Sequence, residues 1–240
     1  MTTAGVRRDT PRDPLVQAGD MIERLGRWPL FRDVDQEALA DLVQHVIIRD
    51  HPAGQIVFVA GEPSHYLYWV DSGFAALRQI SPEGRELILE YVGPGRSLNL
   101  AATIDGGPQV TTAEGLTDLS LLAIERTALL GLLDEHSDLT LALARRLAQE
   151  ARHLSETVRG LALDTVRMRL ATFLLEHAEE TPPQERWTQE RIAAHIGTVR
   201  DVVGRSLRDF VQEGLVRREQ GQLVIVDRQG LERETGGTIG

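Results

Sequence analysis

The stretch that decides the fold, TQERIAAHIGTVRDVVGRSLRDFVQEGLV, occupies residues 188–216. Thr188 is positioned to cap a first helix, QERIAAHI, because its side-chain oxygen accepts a hydrogen bond from an unpaired N–H group at a helix start. Gly197 then makes a tight turn, and a second helix runs from Arg200 to Glu213 and stops at Gly214. The pattern predicts two helices joined by a short turn.

A hairpin follows the two helices. The residues LVRREQGQLVIVD predict two short strands around Gln220–Gly221. A helix pair followed by such a hairpin is typical of a winged helix-turn-helix, whose second helix enters the major groove of DNA.

The second predicted helix has two chemically different faces. The apolar face consists of Val199, Val202, Val203, Leu207, Phe210 and Val211. The first-helix residues expected to pack on it are Ile192, Ala193, Ala194 and Ile196. The opposite face presents Arg200, Asp201, Gly204, Arg205, Arg208 and Asp209.

The polar face has the chemistry of base recognition. Arg200, Asp201 and Arg205 lie in the first turns of the helix. Arginine pairs bidentately with guanine, and an aspartate accepts a hydrogen bond from cytosine. A merely solvated helix face is the alternative that the helix pattern leaves open. The candidate DNA-binding residues are Arg200, Asp201, Arg205, Thr198, Arg208 and Thr188.

The charge of the chain is divided unevenly. The formal net charge is -10, and every basic residue other than histidine is arginine. Seven arginines and four acidic residues lie between Arg186 and Arg218, a local balance of +3, so the rest of the chain carries -13. The positive field therefore surrounds the predicted helix-turn-helix.

The composition excludes several classes of site. The chain has no cysteine, so disulfides, thiolate zinc sites and cysteine-ligated iron–sulfur clusters are ruled out. No apolar run reaches the roughly 18 residues of a membrane helix. The N-terminal MTTAGVRRDTPRDP lacks the apolar core of a signal peptide, so we expect a cytoplasmic protein without a membrane partner. Sequence patterns of hydrolases, P-loops and dinucleotide-binding folds are missing, so an enzyme is not expected.

The residues from 46 to about 127 change to a β-rich pattern. Short runs such as VIIRDH, YLYWVD and ELILEYV alternate with glycine and proline turns, which predicts a β-barrel or sandwich. The expected division is a polar tail over 1–24, a β-roll effector-like domain over 25–136, a long dimerisation helix over 137–163, a winged helix-turn-helix over 164–232 and a tail over 233–240.

A leucine-rich stripe runs along the long predicted helix at spacings of three and four. A stripe of this length usually faces a partner helix, which indicates a homodimer. The alternative is a helix that lies on its own domain. The candidate dimer contacts are Leu143, Leu147, Ala151, Leu154 and Val158.

The order of these elements, from about residue 28 to 230, resembles the cyclic AMP receptor protein/FNR (CRP/FNR) family of bacterial transcription regulators. The segments that carry the resemblance are PLFRDVDQEALADL, PAGQIVFVAGEPSHYLYWVDSGFAAL, SPEGRELILEYVGPG, LALDTVRMRLA and the helix-turn-helix. The resemblance implies an α+β fold with an N-terminal β-roll like a cyclic-nucleotide-binding domain, a dimerisation helix and a C-terminal winged helix-turn-helix.

The resemblance also implies function. Such regulators are homodimers that bind pseudo-palindromic double-stranded DNA and contact RNA polymerase. The base-reading positions of the family fall on Arg200, Asp201 and Arg205, with Asp201 in place of the usual glutamate. A ligand-binding module that acts through protein contacts is the alternative function.

The effector positions depart from the family. The Gly-Glu-Leu motif of nucleotide-binding members reads Asn99, Leu100, Ala101, and the Arg-Ser pair falls near Val110 and Thr111. Loss of the arginine removes a charge-assisted pair with a phosphate, so cyclic AMP is not expected. The candidate effector pocket comprises Leu98, Asn99, Leu100, Val110, Thr111, Leu154 and Ser155.

Three possibilities replace the nucleotide. The pocket is filled by side chains and the regulator is controlled by its abundance, or it holds an apolar or haem-like ligand, or it binds another small molecule. Haem needs an axial ligand, and His153 on the long helix is the candidate. The alternative for His153 is a polar residue that flanks the dimer helix.

Overall fold

Two antiparallel sheets form the N-terminal part of the protein. The computed structural model describes residues 14–84, 86–177, 188–219 and 222–236. The first sheet has the strand order β1-β7-β3 and the second has the order β2-β6-β4-β5. The strands are β1 (Val46–His51), β2 (Ile56–Phe58), β3 (Tyr66–Ser72), β4 (Ala75–Ile80), β5 (Glu86–Val92), β6 (Thr112–Gly115) and β7 (Leu119–Glu125).

Strand β7 connects two hydrophobic cores. Successive side chains of a strand point to opposite sides of the sheet. Leu121 and Ala123 therefore face the core between the two sheets, where Phe58 and Tyr68 also lie. Leu122 and Ile124 face the core between the first sheet and the helices. All residues of β7 from Leu121 to Ile124 are fully buried, as its apolar sequence requires.

Helices cover the outer side of the first sheet. They are α1 (Pro14–Gly26), a short 3-10 helix (Pro29–Phe31), α2 (Gln36–Gln44), α3 (Leu100–Asp105), α4 (Arg126–Glu135) and α5 (Ser137–Leu163). Phe31 packs edge-on against Trp69 of β3, with ring centroids 5.7 Å apart. Only the N-terminal part of α5 joins this core, through Leu139, Ala142 and Leu143.

The structure corrects the expected polar tail over residues 1–24. Helix α1 begins at Pro14, so the N-terminal domain starts earlier than the composition suggests. Met21 and Ile22 pack against the core, and Leu25 is fully buried in it. Leu25 lies four residues after Met21 and three after Ile22, a spacing that places all three on one apolar stripe of the helix. Residues 1–13 lie outside the described residues.

The C-terminal part is a winged helix-turn-helix. Its elements are α6 (Val166–His177), α7 (Gln189–His195), α8 (Arg200–Gln212), β8 (Val216–Glu219), β9 (Gln222–Ile225) and α9 (Arg228–Glu234). Strands β8 and β9 pair antiparallel, with Val216 opposite Ile225. The fold class predicted from the sequence is therefore confirmed, although the predicted hairpin turn at 220–221 lies outside the described residues.

Three residues of α8 fix this helix in the domain. Val203, Leu207 and Phe210 are buried in a core that also contains residues of α6 and α7. The prediction that Val199 and Val211 share this face is wrong, because their side chains are 56% and 41% exposed. Val199 is the extended N-cap residue, so helical spacing does not apply to it.

The predicted C-terminal tail, residues 233–240, was placed too close to the domain, because the first of these residues are part of it. Arg167 of α6 forms ion pairs with Glu213 and Glu234, and Thr235 is buried. The hydrogen bond from Arg167 is the largest cause that lowers the pKa of Glu234. These contacts make α9 part of the domain. Residues 237–240 lie outside the described residues.

None of the helices in the described residues is both long and apolar enough to cross a membrane.

We expect Phe210→Ala to lower the free energy of unfolding by about 3–5 kcal/mol, because it empties a fully buried ring position in the core. The Arg167 guanidinium, which lies 4.5 Å from the ring centroid, loses its cation–π partner in the same variant. The measurement is urea unfolding followed by circular dichroism. Val211→Ala, at the neighbouring half-exposed position, is the control and should cost less than about 1 kcal/mol. Equal losses for the two variants would contradict the assigned core.

Candidate nucleic-acid interface

The turn between α7 and α8 sets the angle at which the second helix is presented. The Thr188 hydroxyl accepts a hydrogen bond from the Arg191 N–H at 3.2 Å, which caps α7. Gly197 has a φ of +67°, in the left-handed region that favours glycine. The Thr198 N–H then donates to the Ala193 carbonyl at 2.9 Å. Thr188 and Thr198 therefore have structural partners within the motif itself.

An open cleft lies along the polar face of α8. Its volume is about 640 Å³. The lining residues are Gln189, Arg200, Asp201, Gly204, Arg205 and Arg208. Four of the six sequence-predicted DNA-binding residues thus meet in one place, whereas Thr188 and Thr198 lie outside the lining. Three guanidinium groups against one carboxylate make the cleft suitable for an anionic ligand.

Gly204 leaves room for a side chain of the other helix. A Cβ atom built on Gly204 falls 2.9 Å from the Gln189 Oε1 atom, so this amide lies directly over the glycine. Gln189 is a functional candidate that the sequence reasoning missed. Gly204 in the middle of the polar face could have indicated this contact. Glycine destabilises a helix interior, so its presence suggests that another group occupies the space of a side chain.

One arginine of the cleft already forms an ion pair with a carboxylate of the protein. Arg200 Nε lies 2.9 Å from Glu190 Oε1, and both side chains are more than half exposed. An ion pair this exposed contributes little to stability. It does orient Arg200, the first residue of α8, and it places a negative charge beside the cleft.

The candidate effector residues are separated in the structure. Leu98 is buried in the core between the sheets, whereas Leu100 is buried in the core beneath the helices. Val110 is 65% exposed, although Thr111 beside it is buried. On α5, Leu154 is half exposed and the Ser155 hydroxyl donates to the Ala151 carbonyl. Within this one chain, the seven positions are thus divided between two cores, other buried sites and the exposed surface.

Asn99 is a buried structural residue. Its amide nitrogen donates to the Ser64 hydroxyl at 3.0 Å and to the Tyr66 carbonyl at 2.8 Å. Its amide oxygen accepts from the Tyr68 N–H at 3.2 Å. The side chain thereby joins α3 to β3, and its hydrogen-bonding groups are used within the protein.

Several arginines near the β-roll have carboxylate partners. Arg78 of β4 pairs with Glu114 of β6. Arg96, in the turn after β5, pairs with Glu90. Arg146 Nε of α5 lies 2.9 Å from Glu150 Oε1. A phosphate would have to compete with these carboxylates for each guanidinium.

The leucine stripe of α5 changes character along the helix. Leu143 is buried in the protein's own core and Leu147 packs partly against it. Ala151, Leu154 and Val158 are exposed, the last two by 50% and 64%. The part of the stripe before residue 147 therefore lies on its own domain, and the part from residue 151 onward has no such cover.

His153 lies on the exposed side of α5. Its carbonyl accepts a hydrogen bond from Thr157, and its charge contributes to lowering the pKa of His195 in α7. The described residues contain no group of three or more histidine, cysteine or acidic side chains arranged to hold a metal ion.

Comparisons with known proteins agree with this architecture. Residues 48–136 match the cyclic nucleotide-binding domain family, and residues 168–234 match the Crp-like helix-turn-helix domain family. Over 221 residues the chain is 31% identical to a CRP-like cAMP-activated global transcriptional regulator of Mycobacterium tuberculosis, covering 89% of this chain and 99% of that protein. The chain belongs to the CRP/FNR family of transcription regulators.

Other CRP/FNR proteins are also similar over most of this chain. The cyclic AMP receptor protein of Thermus thermophilus is 28% identical over 205 residues, which cover 85% of this chain and 95% of that protein. The solved structure of a CRP/FNR transcriptional regulator from Thermus thermophilus superposes with a TM-score of 0.63 at 27% identity, covering 79% of this chain and 98% of the other. The CRP/FNR assignment made from the sequence is confirmed, and the family is one of transcription regulators, not enzymes.

We expect Gly204→Ala to separate stability from DNA binding in this CRP/FNR protein. The free energy of unfolding should stay level or rise by up to about 1 kcal/mol, since alanine is the better helix former. DNA affinity should fall by about tenfold, because the new methyl group displaces the Gln189 amide from the cleft. Fluorescence anisotropy with labelled operator DNA and urea unfolding measure the two effects.

The matched control is Gly131→Ala. Gly131 is also an interior helical glycine, but its added Cβ meets nothing within 4 Å. It should give the same gain in stability without a change in DNA affinity. Unchanged DNA binding by Gly204→Ala would contradict a role for this cleft.

Proposed function

We propose that this protein is a homodimeric transcription regulator that reads pseudo-palindromic DNA with α8. The observation that carries the proposal is the cleft in which Arg200, Arg205 and Arg208 surround Gly204 along the exposed face of α8, whose opposite face is buried. The N-terminal residues of a helix in this motif contact base edges in the major groove. Arg200 and Arg205 are suited to guanine, and Asp201 to the cytosine amino group.

Dimerisation through α5 fits the exposed end of its stripe. Leu154 and Val158 are large apolar side chains left in water by this one chain. A second copy of the same helix would cover them by the knobs-into-holes packing of a coiled coil. Twofold symmetry would then place two copies of α8 on two half-sites about one turn of DNA apart.

We further propose that cyclic AMP does not control this regulator, although two relatives carry cyclic AMP in their names. Leu98 and Leu100 are buried in separate cores, and the position of the phosphate-binding arginine is the exposed Val110. Control by abundance or by a different, apolar ligand fits the packed interior of the roll. Contact with RNA polymerase and a cytoplasmic location follow from the proposed role.

We expect Leu154→Glu to produce monomers at micromolar concentration, because it places a charge in the proposed helix seam. Analytical ultracentrifugation measures the change. Arg152→Glu is the control, since it introduces the same residue at an exposed position on the opposite face of α5. A dimeric Leu154→Glu protein would show that the dimer forms elsewhere.

We expect Arg205→Ala to cost about 1–3 kcal/mol in operator affinity and to relax the preference at one base pair of each half-site. Binding to a library of operators with single substitutions, at several salt concentrations, measures both effects. Arg32→Ala removes an exposed arginine far from α8 and should leave the preference intact. Adding 1 mM cyclic AMP should change neither the operator affinity nor the base preference of the parent protein. Equal binding of every DNA sequence by the parent protein would refute the proposed function.

A further inference from the structure

The helix-turn-helix is docked on the β-roll of its own chain. Ala194 of α7 is buried with Ala76 of β4 and Ile88 of β5, and Tyr91 packs against this cluster. Gly197, in the turn after α7, approaches Leu87 of β5 and Leu161 of α5. Its missing side chain allows this contact, since a Cβ atom there would lie 2.6 Å from Leu161 Cδ2. β5 is the edge strand of its sheet, so α7 covers an otherwise open margin.

His195 lies at the centre of this contact. Its ring stacks on the Tyr91 ring, with centroids 5.4 Å apart and an interplanar angle of 19°. The rings of Phe173 and His177 from α6 also lie against it, at centroid distances of 5.2 and 5.1 Å. His195 Nδ1 is buried and has no hydrogen-bond partner among the described residues. One imidazole therefore touches the roll on one side and α6 on the other.

The surroundings of His195 favour its neutral form. Burial lowers the pKa of His195 to about 4, and the positive charges of His177 and His153 act in the same direction. In the part of the chain that the structure describes, the titratable groups near it are Tyr91 from β5, His177 from α6 and His153 from α5. A protonated ring would bury a charge among aromatic side chains and an N–H group without an acceptor.

We propose that the contact of His195 with Tyr91 is a proton-sensitive latch that holds the helix-turn-helix on the β-roll and releases it in mild acid. The contact joins two domains through the His195 ring, whereas the docking contacts among Ala76, Ile88 and Ala194 are apolar. Loss of a proton from His195 closes the latch, and gain of a proton opens it.

The direction of the pH dependence follows from the depressed pKa of His195. The docked state disfavours the proton, so the latch is at full strength above the ordinary histidine value of about 6.5 and weakens as the pH falls toward 4. Between pH 7.5 and 5.5 the docking equilibrium constant should fall about tenfold.

Docking leaves the DNA-binding face free. Arg200, Arg205 and Arg208 remain exposed while α7 contacts β5. A docked helix-turn-helix is therefore already oriented, whereas a released one must be ordered when DNA binds. DNA affinity should consequently fall in acid by up to about tenfold per protomer. Ordinary protonation of surface histidines has the opposite effect, because it adds positive charge and strengthens DNA binding.

The first test follows the histidine rings directly. In the full-length protein with ¹³C-labelled histidine, nuclear magnetic resonance should show one imidazole, absent from the His195→Phe spectrum, that titrates with a midpoint below the ordinary histidine value of about 6.5. A midpoint near 6.5 for that ring would overturn the proposal. This measurement does not involve DNA, so it judges the latch even if the proposed function fails.

The second test measures operator affinity at pH 7.5 and 5.5, and it rests on the proposed function. The parent protein should lose affinity at pH 5.5, whereas His195→Phe, which keeps a ring but cannot be protonated, should not lose it. His45→Phe, at an exposed histidine outside the contact, is the matched control and should behave like the parent. Tyr91→Ala removes the other half of the contact and should bind weakly at both pH values, which keeps the test valid if His195→Phe does not fold. Tighter binding by the parent in acid, or equal losses in the parent and His195→Phe, would overturn the latch.

Discussion

Burial of one side of α8 is the interaction on which the DNA-binding face depends. Val203, Leu207 and Phe210 pack into a core shared with α6 and α7, so the helix has one fixed rotation about its axis. With this rotation the arginines of the cleft point outward on one face, and the Gln189 amide lies over Gly204. An acidic chain carries this face without conflict, because its negative charge lies mainly in the other parts of the sequence.

The β-roll is a scaffold for the helices packed around it. β7 contributes alternate side chains to two cores, so the sheets and the helices over them are stabilised by the same strand. Asn99 and the paired arginines use within the protein the polar groups that a nucleotide would need. The same scaffold supports α7, the helix that precedes α8, through contacts with β5.

Local sequence patterns predicted the elements whose own residues form a strong apolar or helical pattern. The apolar runs of β1, β3, β5 and β7 and the two helices of the motif lie where the sequence places them. The strand β6, with the sequence TAEG, has no strong pattern and exists because β2 and β4 pair with it. The stripe of α5 likewise did not show which of its residues pack on their own domain, as Leu143 does, since that depends on contacts distant in sequence. Gln189 was missed for a related reason, because the space that it fills belongs to another helix.

The ion pair between Glu190 and Arg200 has a consequence for how the regulator searches a genome. When no DNA is present, Arg200 already has an anionic partner, so a passing phosphate must displace a carboxylate to gain the same guanidinium. Random DNA offers no net advantage in that exchange, whereas a guanine in the right position offers two hydrogen bonds. If α8 reads bases as we propose, the carboxylate of Glu190 lowers the affinity for random DNA more than the affinity for an operator, by a small amount because the ion pair is exposed.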